Sequence, residues 1–165
     1  MSNWVMDRIA NSPNPIKENA LTIWVLHADK KPPHIGISIE SKFFSLKING
    51  KDEDLPILSL HQLIHKKRIP TLTIQLTIDE NHENVKQVFS NYGSKIKTPE
   101  TCLSPITELL LPTYKDLILI ELLDKLNEKN QIETISSFYL PKEYNGIPEY
   151  NRETIKNRLH AIQSA

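Results

Sequence analysis

The stretch KPPHIGISIESKFFSLKING, residues 31–50, indicates the kind of sheet that this chain forms. It holds two segments, 34–39 and 42–48, that are rich in β-branched and aromatic residues and are separated by a short polar connection. A third segment of this kind, 20–28, precedes them. Short apolar segments joined by turns are typical of strands that follow one another in an antiparallel sheet. The region 20–48 therefore predicts an antiparallel meander.

The strand predicted at 34–39 begins with a histidine that is followed closely by a glycine. Side chains alternate across a strand, so His34, Gly36 and Ser38 share one face, and the three isoleucines between and beside them share the other. We expect the isoleucines to be buried. The histidine face has little bulk, which predicts that another backbone, such as the start of a helix, approaches the sheet beside the imidazole.

Strand and helix patterns alternate in the rest of the chain. The segment 71–78 alternates strictly between aliphatic and polar residues, which predicts a strand with one packed face and one face that is wet or at an edge. Elsewhere, apolar residues recur at helical spacing. The predicted helices span residues 59–68, 81–93, 105–111, 114–130 and 151–163. This order predicts an α+β protein with a small antiparallel sheet packed against helices.

Length and composition indicate one globular domain. The chain has 165 residues, of which 39% are hydrophobic and 24% charged, and this is enough to build a sizeable core. We divide it into an N-terminal helix and linker over 1–19, a core over 20–111 and a helical C-terminal extension over 112–165.

Charge and hydropathy limit the binding partners and the cellular compartment that we expect for this protein. The 20 basic residues balance the 20 acidic ones, and the longest basic cluster, HKKR at 65–68, is too short for the multiple phosphate contacts of a nucleic-acid site. No run of about 18 apolar residues predicts a membrane-spanning helix. The N-terminus lacks the pattern of a secretory signal. We therefore expect a cytoplasmic protein that does not bind nucleic acid.

The one cysteine, Cys102, is the first candidate for chemistry. A single thiol excludes an internal disulfide and a zinc site made of several thiolates. The helix predicted to start near Ser104 would lower the pKa of a thiol just ahead of it, and an imidazole such as His34 would complete a nucleophile and base pair. The alternative is that Cys102 is a core thiol and His34 an ordinary strand histidine.

At these positions the chain resembles the circularly permuted papain-like group. This group includes relatives of the NlpC-type cell-wall amidases and the lecithin-retinol acyltransferase-like proteins. The shared features are the histidine strand HIGISI, a following strand, a helix, the strand TLTIQLTI, a second helix and then the cysteine of TCLSPITELL. The resemblance covers residues 20–111 in the order of elements.

The resemblance implies a function and a set of site residues. Cys102 would be the nucleophile, His34 the general base, and Ser45, on the strand after the histidine, the third residue that orients the ring. The implied function is a cysteine-dependent hydrolase or acyltransferase that acts on an amide or ester without metal or organic cofactor. The implied substrate is a small molecule, a peptide or a lipid. Serine stabilises an imidazolium poorly, so the alternative is a weak or inactive module that binds a peptide or lipid in the same groove.

Two other groups of polar residues are weaker candidates. His61 and His65 stand one helical turn apart, as zinc ligands do, but glutamine replaces the glutamate of the zinc-peptidase motif, and a third ligand would have to come from His82, His27 or a distant carboxylate. A solvated helix face is the simpler interpretation. His27 and Asp29, at the end of a predicted strand, are expected to be wet rather than functional.

Overall fold

The computed structural model describes residues 4–9, 17, 19–97 and 100–163. This part of the chain forms a six-stranded antiparallel sheet and six helices, which confirms the predicted α+β class. The elements, in chain order, are α1 (Trp4–Asp7), β1 (Thr22–Leu26), β2 (His34–Ile39), β3 (Lys42–Lys47), β4 (Gly50–Pro56), α2 (Ile57–Lys67), β5 (Thr71–Leu76), α3 (His82–Ser90), α4 (Ser104–Leu110), α5 (Leu119–Glu128), β6 (Ile132–Phe138) and α6 (Arg152–Gln163).

The strands are arranged in the order β4-β3-β2-β1-β5-β6, so β1 lies inside the sheet. It pairs with β2 on one side and with β5 on the other, and all five of its residues are buried. The helix α2 connects β4, at one edge, to β5, on the far side of β1. This crossover is what turns a simple meander into a six-stranded sheet.

Each face of the sheet supports its own core. The three isoleucines of β2 are buried in the larger core with residues of α3, α4 and α5, as the alternation in 34–39 predicts. On the other face, Trp24 and Phe43 pack with Leu60 and Ile64 of α2. The Trp24 indole N–H donates a hydrogen bond of 2.8 Å to the Ser38 hydroxyl, so the polar residue on this face is satisfied inside the sheet.

Two strands were not predicted. Charge dominates the sequence GKDEDLP, which has no strand pattern; it forms the edge strand β4, whose charged side chains bind neighbours while Leu55 packs against the core around Trp24. Lys51, for example, donates hydrogen bonds of 3.0 Å to the carbonyl oxygens of Phe89 and Tyr92. β6 lies within the extension 112–165 that was predicted to be helical, and it pairs with β5. The predicted wet face of β5 is therefore wrong, since all six of its residues are buried between β1 and β6.

The start of the chain is attached to α5 and β6. The Trp4 indole N–H donates a hydrogen bond of 2.7 Å to Asp124, and the Arg8 guanidinium donates one of 2.8 Å to the Ile132 carbonyl. Ile9 forms an isolated parallel bridge with Ile135. The linker predicted within residues 1–19 lies largely outside the described residues.

Gly36 does not serve the role that the sequence predicted for it. A side chain placed at this position would overlap the ring of Phe43 and lie 2.9 Å from the carbonyl oxygen of Phe44. The space beside the glycine is filled by an aromatic ring from the neighbouring strand β3, a pairing that shields the bare backbone of a strand glycine. The prediction that a helix approaches the sheet at Gly36 is therefore wrong.

We expect Gly36→Ala to lower the free energy of unfolding by about 1–3 kcal/mol, because Phe43 must leave its position in a packed core. Chemical denaturation measures this directly. Gly50→Ala is the matched control: its new methyl group would lie 3.6 Å from the Lys47 side chain, so the expected cost is well under about 1 kcal/mol. Equal losses for the two variants would contradict the packing described here.

Candidate functional site

A cavity of about 330 Å³ opens at the end of the sheet where β2 begins and β3 ends. His34 and Cys102, which are far apart in the chain, both line it. No acidic side chain is among the described residues of its wall. The apolar part of that wall consists of Pro32, Pro33, Ile35, Ile48, Ile96, Leu103, Tyr150, Ile155, Leu159 and Ile162. Cys102 and His34 thus border the same cavity.

Cys102 lies in a turn just before α4 that is fixed by hydrogen bonds on both sides. The backbone N–H of Thr101 donates to the Ser104 hydroxyl over 2.8 Å, and the N–H of Leu103 donates to the Thr101 hydroxyl over 3.2 Å. The side chain is half-buried and packs against the core on the isoleucine face of β2. Cys102 therefore reaches the cavity from the face of the sheet opposite to the one predicted.

The environment of the sulfur favours the neutral thiol. Burial raises the pKa of Cys102 above its ordinary value, although hydrogen bonds from the backbone of Ile35, Cys102 and Leu103 and the charge of Arg158 act in the other direction. The predicted lowering of this pKa is therefore wrong for the net effect, because desolvation of the sulfur outweighs the backbone groups at the start of α4. The backbone of Ile35, the residue next to His34, is the first of the groups that oppose this rise in pKa.

His34, the first residue of β2, is neutral in the folded protein near pH 7. Burial lowers the pKa of its imidazole to about 4, and the charge of Asp52 acts against this shift. The Nε2 atom is buried and has no hydrogen-bond partner among the described residues. An imidazole with a free nitrogen in an apolar wall can accept a proton, but the resulting cation is poorly solvated there.

Ser45 is buried on β3 and its hydroxyl donates a hydrogen bond of 2.8 Å to Asp52 rather than to the Nε2 atom of His34. Lys47 donates a hydrogen bond of 3.1 Å to the other oxygen of the same carboxylate. Asp52, on β4, is the polar residue that sequence reasoning missed. It brings a negative charge to the surroundings of His34, which the sequence appeared to lack.

The other candidates lie outside the cavity wall. The rings of His61 and His65 stack with centroids 6.1 Å apart, and Nδ1 of His65 is 2.7 Å from the Tyr139 hydroxyl. His82 is hydrogen-bonded to Asp54. Among the described residues, no three histidine, cysteine or carboxylate side chains are grouped so that they could hold a metal ion.

His27 and Asp29 follow the end of β1. His27 is exposed, and its charge is one of the effects that lower the pKa of His34. Asp29 is half-buried beside Tyr144, whose pKa is raised by burial and by the charge of this carboxylate. Both residues affect the electrostatics of their neighbours without lining the cavity.

Comparison of the chain with protein-family models, with curated proteins and with solved structures finds no match. The likeness to the permuted papain-like group therefore rests on the motif around His34 and Cys102 and on the order of elements. In the part of the chain that the structure describes, no helix has the length and apolar character needed to cross a bilayer.

We expect the burial of His34 to make the protein less stable at mildly acidic pH. Because its folded pKa of about 4 lies below the ordinary 6.5, the unfolded chain binds a proton first, so stability present above pH 6.5 is lost as the pH falls toward 4. Between pH 7 and pH 5 the wild type should lose roughly 1–2 kcal/mol more than His34→Gln in urea denaturation. His65→Gln, which replaces an exposed histidine, should retain the wild-type loss. Equal losses for wild type and His34→Gln would contradict this account.

We also expect Cys102 to be a slow thiol at neutral pH. Its pKa is raised by burial, so iodoacetamide should modify it more slowly than a free thiol at pH 7, with a rate that keeps rising above pH 9. The same chain in urea is the control and should react at the rate of a free thiol. Because Cys102 is the one cysteine of the chain, the mass of the whole protein reports the reaction without ambiguity. Fast modification of the folded protein at pH 7 would overturn the description of the site.

Proposed function

We propose that the chain is a cysteine-dependent hydrolase or acyltransferase of the permuted papain-like kind, acting on an amide or ester. The observation that carries this proposal is that Cys102 and His34, from distant parts of the chain, line one cavity. A thiol and an imidazole with a free nitrogen form a nucleophile and a general base when they share a site. The α+β architecture and the order of a histidine strand before the cysteine turn are compatible with this class.

The reaction begins from a neutral pair rather than a thiolate and an imidazolium. The Cys102 sulfur attacks the carbonyl carbon of the substrate and forms an S–C bond, while His34 takes the thiol proton. The imidazolium then gives this proton to the departing amine or alcohol, which leaves an S-acyl enzyme. Water, or another acceptor, attacks the thioester and passes a proton to His34 as the bond to sulfur breaks, and the return of this proton to the sulfur restores the thiol.

Neighbouring groups support the charges that develop in this sequence. The backbone of Ile35 acts to lower the pKa of the sulfur and would be a source of a donor for the oxyanion of a tetrahedral intermediate. The charge of Asp52 favours the imidazolium form of His34. Asp52, with Ser45 as its hydrogen-bonded neighbour, thus supplies the negative charge that a serine alone lacks.

The direct test is to trap the acyl enzyme. We expect p-nitrophenyl hexanoate to add one hexanoyl group, visible as a mass increase that neutral hydroxylamine removes, and peptide mass analysis should locate it on Cys102, the one thiol of the chain. His34→Gln should slow acylation by about 10²–10⁴-fold, the usual range for a general base. Cys102→Ala should form no thioester.

The matched control is His61→Gln, which changes a histidine outside the cavity wall and should acylate as the wild type does. Asp52→Asn should slow acylation less than His34→Gln, since Asp52 acts on the base and not on the substrate. Absence of a thioester over a series of ester and amide probes, or an equal rate in His34→Gln, would contradict the proposed chemistry.

A second candidate is a binding module with little or no turnover. It is favoured by the raised pKa of Cys102 and by the direction of the Ser45 hydroxyl toward Asp52, because both leave the thiol without activation at rest. In this case the apolar cavity would bind a peptide or lipid. Ligand retention by Cys102→Ala together with no turnover by wild type would favour this candidate over the hydrolase.

A further inference from the structure

The helix α6 forms one wall of the cavity that holds Cys102 and His34. It contributes Ile155, Leu159 and Ile162 to the apolar lining and, between them, the guanidinium group of Arg158. The helix is held at its beginning by Arg152, which donates to Glu121 over 2.7 Å and to the Asp116 carbonyl over 2.8 Å. Charge and apolar surface are therefore presented to the cavity by the same short segment.

The charges at this cavity are of one sign. Lys47 and Arg158 line it, and the described wall includes no aspartate or glutamate. Lys47 is partly neutralised, since its ammonium group lies 3.1 Å from Asp52. Arg158 is exposed and takes part in none of the salt bridges found among the described residues. Its charge reaches both reactive groups, because it acts on the pKa of Cys102 and on that of His34.

We propose that the cavity binds an amphiphile with one anionic group, and that Arg158 determines this specificity by pairing with the anion. The apolar chain of the ligand lies among the isoleucine and leucine side chains of the wall. A guanidinium group forms a planar pair of hydrogen bonds with a carboxylate, phosphate or sulfate, so these head groups share the required chemistry. This inference rests on the proposed function, because it names the class of substrate for that reaction. The binding itself requires no turnover.

The size of the cavity matches a chain of moderate length. Its volume of about 330 Å³ lies at the lower end of the usual range for ligand pockets, roughly 300–1,000 Å³. Decanoate and decyl sulfate are therefore suitable probes for the anionic class, with decanol and decyltrimethylammonium as neutral and cationic ligands of the same chain length. The ionic probes are used below their micelle concentrations and decanol below its solubility limit.

The thiol of Cys102 reports occupancy of this cavity without any turnover. We expect decanoate or decyl sulfate to slow the alkylation of Cys102 at pH 9 in a saturable way, and the half-saturating concentration gives the apparent Kd. Decanol should bind at least threefold more weakly than the better anion, and decyltrimethylammonium more weakly still. Protection by one anion and not by the other identifies the head group. Equal protection by the cationic and anionic probes overturns the proposal.

Variants of α6 test the assignment to Arg158. Arg158→Gln should weaken binding of the better anion by about three- to tenfold and should leave decanol binding unchanged, as expected for a partly exposed ion pair. It should also remove most of the salt dependence of the anion affinity. Arg158→Lys should keep part of the affinity, because it keeps the charge but not the planar fork.

Lys156→Gln is the matched control, because it removes the same charge from the same helix at a position that does not line the cavity of Cys102 and His34. It should bind the anion as the wild type does. If Lys156→Gln and Arg158→Gln weaken binding equally, the effect is one of net charge and the proposal is wrong. If anionic probes protect Cys102 selectively but no acyl enzyme forms, this inference holds and the proposed reaction is wrong. If the acyl enzyme forms but the probes show no head-group preference, the reaction holds and this inference is wrong.

Discussion

The pairing of β1 with strands on both sides is the constraint on which the rest of the structure depends. Its residues are buried, and alternate ones belong to different cores: Trp24 faces α2, while Ile23 and Val25 face the larger core. A register shift of one residue would exchange these faces and bury the wrong side chains on both. The same register aligns Leu26 with His34, and so sets where β2 begins and where the cavity opens.

Desolvation is the second constraint, and it decides the chemistry that the cavity can support. Burial acts in the same sense on both reactive groups, because it disfavours the thiolate of Cys102 and the imidazolium of His34. An ion pair at rest would need compensation that Asp52, Arg158 and the backbone of Ile35 provide only in part. The arrangement suits a reaction in which charge appears only when a substrate is bound and its own polar groups enter the cavity.

The sequence predicts those features of the fold and site that depend on local pattern. Hydrophobic periodicity identifies β2, β3, β5 and most helices. That Cys102 and His34 form a reactive pair stays a prediction, and the structure shows that both line one cavity. Features that depend on contacts with other strands cannot be predicted from the local pattern. β4 shows no hydrophobic periodicity because Lys51 and Asp52 bind backbone carbonyls, Ser45 and Lys47, and Leu55 is its one core contact among the described residues. Asp52 could be recognised as a neighbour of His34 only after the pairing of β4 with β3 was known, and Gly36 was misinterpreted because Phe43 fills its space from another strand.

The two edge strands of the sheet, β4 and β6, are protected in different ways from pairing with a strand of another molecule. β4 carries a lysine and three carboxylates and ends in Pro56, while β6 is covered in part by Ile9 and by the Arg8 bond to a carbonyl. An unpaired strand is a template on which a second molecule can add its own strand, and charge, proline or a covering segment prevents this. Charge and proline on β4, and the covering segment on β6, therefore oppose the addition of a further strand at either edge of the sheet. Both devices act against aggregation through the edge strands.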